Sequence, residues 1–134
     1  MGVTFFVKGS DGGPSWEARY GWAHLHRALQ MFAAEEAIDL SSMEGYGGST
    51  EWTDSTSHLL PLLSLRFAEA DTFSPADCAG IEPRLRQIYD RWSAGLFREA
   101  TEPEMAADQV ETLHRLLAIL RICIETNRPM RIAD

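Results

Sequence analysis

PEMAADQVETLHRLLAILRICIET, residues 103–126, carries the clearest helical period in this chain. Thr101, Glu102, Pro103 and Glu104 open it with a hydroxyl, a proline and two acids, the usual chemistry of a helix start. Ala106, Val110, Leu113, Leu117, Leu120 and Ile124 then follow at alternating spacings of four and three, which places them on one face. Leu116, Ile119, Ile122 and Cys123 widen that apolar arc past a half-turn, and only Arg121 interrupts the run from Leu116 to Ile124. A helix apolar over more than half its circumference needs neighbours on several sides. The segment therefore predicts a mainly α fold of about four helices around a central C-terminal helix. Arg128 and Pro129 stop it.

Working back from this helix, Leu85, Ile88, Tyr89, Trp92 and Leu96 form the inward face expected of a third helix over about 83–97. Ser74, Pro75 and Asp77 mark a separate helical turn before it, because Gly80 and Pro83 interrupt the pattern. Residues 59–70 predict a second helix that keeps Pro61 in its first turn. A first helix is predicted from a Ser15 cap to about Ile38, with Ala18, Trp22, Leu25, Leu29 and Phe32 inward. Between them, residues 40–57 are dense in Gly, Ser and Thr and read as a long loop or irregular hairpin. Val3–Val7 is a short β-branched and aromatic run, so one or two strands form a minor α+β component. A lone strand is not stable, and three partners suit it: Met130–Ala133, the loop, or the same strand of a second copy.

The 134 residues fit one domain, 1–134, with 45% hydrophobic residues and enough length to bury a real core. Cys78 and Cys123 are too few and too far apart for a disulfide framework, which favours a reducing cytoplasm, although one disulfide remains open to them. The N-terminal residues lack a basic start followed by a long apolar run, and no run approaches the roughly 20 apolar residues of a membrane span. These features predict a soluble cytoplasmic protein. Eleven arginines against the single Lys8, and Asn127 as the only asparagine, resemble a high-GC bacterial coding bias.

Charge is unevenly spread. From Ala28 to Asp71 there are eight acids against Arg66, a net of -7, while residues 1–27 carry +1 and residues 72–134 carry -2, together the -8 of the chain. No lysine or arginine lies between Ala28 and Leu65, where Glu35, Glu36, Asp39, Glu44, Glu51 and Asp54 stand. Such a field steers a cationic partner inward and repels nucleic acid and anionic lipid. The arginines at 84, 91 and 98 recur every seven residues on one helical face, and docking within the molecule or onto an acidic neighbour is the expected use of that strip.

No strong catalytic motif is present. His24 and His26 are two apart and cannot grip an ion from one helical face, and there is no His-Glu-x-x-His, Cys-x-x-Cys or Gly-x-Ser-x-Gly. The Gly-rich pieces at 9–13 and 45–48 lack phosphate-loop spacing and read as turns. Cys123 falls on the apolar face, and Cys78 is expected to be the more accessible thiol. Tyr20, His24, Arg27 and Met31, spaced four, three and four, form a second stripe on the predicted first helix, of the amphipathic kind that contact surfaces favour.

The preferred reading is a protein-binding protein without catalytic activity or cofactor: an inhibitor, immunity-like or regulatory accessory protein whose partner has a basic surface. Its contact surface is expected to comprise Tyr20, His24, Arg27, Met31, Glu44, Tyr46, Glu51, Trp52 and Asp54. The alternative is a metal- or small-ligand-binding bundle, in one form an enzyme, using His26, His58, His114 and Glu111. A homodimer joined through the N-terminal strand is the third reading.

Overall fold

The computed structural model describes residues 2–7, 16–52, 56–64, 72–99 and 101–133. Strand β1 (Gly2–Val7) leads to β2 (Trp16–Gly21), helix α1 (Trp22–Glu35), a 3-10 turn (Leu40–Ser42), the short α2 (Leu60–Leu63), β3 (Thr72–Phe73), α3 (Pro75–Ser93), α4 (Pro103–Thr126) and β4 (Met130–Ala133). The fold is mainly helical, with a four-stranded antiparallel sheet ordered β2-β1-β4-β3.

The sheet corrects the expected first helix. Residues 16–21 are a strand, with Glu17 and Arg19 exposed and Ala18 and Tyr20 buried, a period of two that a helix cannot produce. Gly21, extended at φ -65° and ψ 157°, then passes the chain into α1. Leu25, Leu29 and Phe32 are buried as expected, but Trp22 is 47% exposed because the helix begins at it. β1 takes one of its expected partners, the C-terminal segment, with Phe5 opposite Ile132. Its other neighbour is β2, with Phe5 opposite Ala18, which the helical assignment had hidden.

α3 is one continuous helix, not a turn followed by a helix. Ser74 and Asp77 form a reciprocal capping box, with the Asp77 amide donating to Ser74 Oγ at 3.1 Å and the Ser74 amide to Asp77 Oδ2 at 3.2 Å. Pro83 sits inside the helix on its solvent side, where Ala79, Gly80 and Pro83 are all exposed. The carbonyl freed by the missing N–H thus faces water, which lowers the cost of the proline. The helix ends at Ser93, so Leu96, expected inward, lies beyond it and is 54% exposed.

α4 occupies the predicted residues. Leu113, Leu116, Leu117, Ile119, Leu120 and Cys123 are buried, against α3 and against β1, β2 and β4. Asn127, left-handed at φ 53°, closes the helix, and the Arg128 amide donates back to the Cys123 carbonyl at 3.0 Å. Phe32 of α1 stacks on Trp92 of α3 at 5.4 Å, and Trp92 on Phe97 at 5.6 Å. Of the helix expected over 59–70, α2 is the described part, with Pro61 in its first turn as predicted; 65–70 lie outside the described residues.

Candidate functional site

The acidic loop leaves the C-terminal end of α1 and is held down by its own aromatic residues. Trp52 is buried and donates its indole N–H to the Glu44 carbonyl at 3.1 Å; Tyr46 donates its hydroxyl to the Leu63 carbonyl at 2.7 Å; the two rings meet edge to face at 6.1 Å. Bridges join Met43 to Thr50 and Glu44 to Gly48. A Cβ on Gly48 would lie 2.0 Å from the Ser42 carbonyl group, so only glycine permits that closure. Tyr46 and Trp52 therefore anchor the loop and do not extend a surface stripe.

Arg84 and Arg91 of the expected arginine strip dock within the molecule, on α1, whereas Arg98 lies past the end of α3 at Ser93 and meets α1 through its backbone amide. Arg91 Nε donates to the buried Glu35 carboxylate at 2.9 Å, and the Arg98 amide donates to its other oxygen at 3.0 Å. Arg84 pairs with Glu36 and also donates to the Glu35 carbonyl at 3.0 Å, while Ser57 donates to Glu36 at 2.7 Å. Cations at a helix C-terminus meet the negative end of its dipole and its unpaired carbonyls. Two of the six acids in the arginine-free stretch are thus compensated from α3. Asp39, Glu44 and Glu51 remain exposed. Asp39 also accepts from the Ser41 amide at 3.2 Å, capping the 3-10 turn.

An open cleft of about 480 Å³ lies between this loop and α3. Glu36, Asp39, Glu51, Ser57, His58 and Arg84 supply its polar lining, and Ile38 and Met43 its apolar lining. Sequence reasoning had Glu36, Asp39 and Glu51 in one acidic stretch but named only Glu51 for the contact surface and set His58 with the other histidines; packing brings all four to one cleft.

The Tyr20–Met31 stripe is not a surface. Tyr20 is in β2, 1% exposed, its ring edge to face with Phe5 at 5.9 Å and against His24 at 5.3 Å; Met31 is 2% exposed. Arg27 is committed to Glu99 at 2.7 Å and Thr101 at 3.1 Å, tying α1 to the segment before α4. Asp54 lies outside the described residues.

The histidine set does not assemble either. Among the described residues no group of three or more His, Cys, Asp or Glu side chains is placed to hold a metal ion. His26 contacts Gln30 at 3.2 Å, His114 leans on Tyr89 at 5.7 Å, Glu111 pairs with Arg115 at 2.8 Å, and His58 lines the cleft. It is His24 that meets α4: the wholly buried Gln109 donates its amide to the His24 carbonyl at 3.0 Å. Tyr20 Oη, His24 Nε2 and Gln109 Oε1 are buried there with no hydrogen-bond partner among the described residues. Burial lowers the His24 pKa against the opposing pull of Asp108, and burial raises that of Tyr20. The unfolded chain then binds more protons than the folded one below the ordinary histidine value of 6.5. Stability is expected to fall as pH drops through that window, and urea unfolding of His24→Gln should show a shallower decline than the parent.

Both thiols are inert by burial. Cys78, contrary to expectation, is 0% exposed, as is Cys123; Cys78 is pushed up to about 12 by burial, with Cys123 adding to the shift, and Cys123 is raised too. Among the described residues no helix is long and apolar enough to cross a membrane. No family model, curated protein or solved structure matches the chain.

Proposed function

We propose that this chain is a small acidic protein-binding protein, an inhibitor or accessory subunit without catalytic activity, organised as one cytoplasmic domain about α4. Its contact surface is the acidic loop, with Asp39, Glu44 and Glu51 presenting negative charge beside the cleft that His58 lines. The observation that carries this reading is the division of labour among the acids. Glu35 and Glu36 are neutralised by α3, whereas Asp39 and Glu44 are exposed with no cationic side chain paired to them among the described residues. The loop that displays them is anchored through Trp52, Tyr46 and Gly48, and a held surface loses less entropy on binding than a mobile one. A basic protein surface is the complementary partner.

The test starts with native mass spectrometry of the untagged protein isolated from its host at low salt, which identifies a bound polypeptide. With that partner, Glu44→Lys combined with Glu51→Lys should slow association about ten-fold or more at low ionic strength and leave the far-ultraviolet circular dichroism unchanged. Association at the parental rate, or one insensitive to salt, would refute the acidic-loop assignment.

A further inference from the structure

We propose that β2 is a self-association edge through which two copies of this chain join their sheets. β1 is paired on both sides, by β2 and β4, so the N-terminal strand has no edge to offer a second copy. The sheet's outer strands are β3, only two residues long, and β2, six residues long, whose outer side has no strand partner among the described residues. Such an edge presents a row of backbone donors and acceptors that another strand can pair with.

The side chains of β2 select both the occupant and the register. Glu17 and Arg19 point to the exposed face, opposite Phe6 and Thr4 of β1, and neither has an ion-pair partner among the described residues. Consider a second copy of β2 laid antiparallel along the first. Directly opposed residues in such a pair share a face, so a register that set Glu17 against Tyr20 would mix the exposed and buried layers. Centring the two-fold on Arg19 or on Glu17 sets like charges against each other. Centring it on Ala18 places each Glu17 opposite Arg19 of the second copy, so both charges are compensated, and puts the small buried Ala18 at the axis, where the copies must approach most closely. A strand that is its own charge complement is best completed by itself.

The rest of the charge distribution permits this approach. The -7 of residues 28–71 would repel a second copy, but residues 1–27 carry +1. α1, with 14 residues, carries the chain about 20 Å from the end of β2 before Glu35 is reached. Trp22, 47% exposed, follows the strand directly and adds apolar area at the end of the edge.

The test is sedimentation equilibrium of the full chain at about 0.1 mM, with circular dichroism of each variant to establish that it is folded. The parent should dimerise with a Kd on the order of micromolar. Glu17→Arg and Arg19→Glu should each weaken the dimer by about ten-fold or more, because each sets like charges opposite one another twice. The double variant E17R/R19E should recover the parental Kd, and an equimolar mixture of the two single variants should form a heterodimer, since every opposed pair is again of opposite sign. A monomeric parent at this concentration would overturn the proposal. So would a dimer indifferent to both reversals, or a mixture of folded single variants that fails to associate.

Discussion

Leu120→Ala is expected to lower the free energy of unfolding by about 2–5 kcal/mol, the range for a leucine removed from a packed interior. Leu120 is wholly buried on α4, the helix that packs against α3 and against three strands of the sheet, so several elements line the space the side chain would vacate. They cannot all close on it without disturbing one another, which places the loss in the upper part of that range. Against a total of about 5–15 kcal/mol for a domain, such a change removes a large fraction of the stability. Urea unfolding followed by circular dichroism measures it. Ile124→Ala, on the same face but only half-buried, should cost less than half as much. Equal losses at the two positions would show that helix propensity, not enclosure, governs this segment.

The second large effect is at Glu35. Its side chain is 1% exposed and accepts from both Arg91 and the Arg98 amide, so it fixes the end of α1 to α3 and to the segment after it. Removing the acceptor leaves a backbone N–H without its partner and a guanidinium displaced from its site. Glu35→Ala should therefore destabilise by about 2–4 kcal/mol, and Glu35→Gln, which keeps one good acceptor, by about half that. Glu111→Ala, which breaks the exposed pair with Arg115, should change stability by no more than about 0.5 kcal/mol. Both carboxylates belong to ion pairs, and their burial decides which one matters. Equivalent effects in denaturant titrations would contradict this account of how α1 is held.

The helical pattern of 103–126 was legible because its apolar residues keep one period for the whole length of the helix and its caps are local. Ser74 and Asp77 were readable for the same reason, as was the shared face of Arg84 and Arg91; Arg98, expected to continue it, lies past the end of α3 at Ser93. Trp16–Gly21 was not, because Ala18 and Trp22 fit a helical spacing while Ala18 and Tyr20 fit a strand, and a six-residue window does not separate the two. The supposed stripe of Tyr20, His24, Arg27 and Met31 inherited that ambiguity. With Tyr20 in a strand and Met31 buried, the stripe has no face to occupy.

The candidate site divides along the same line. Local order along the chain determined the long C-terminal helix and the acidic third, since period, caps and charge are properties of neighbouring residues. Which acids are available depends on groups far away in sequence: Arg84 and Arg91 reach Glu36 and Glu35 from α3. The cleft of Glu36, Asp39, Glu51 and His58, the turn of Tyr46 and Trp52 into the loop's own support, and the open edge of β2 likewise arise only when separate segments pack. Long-range pairing is set by the shape and charge of both partners together, and neither segment carries that information alone.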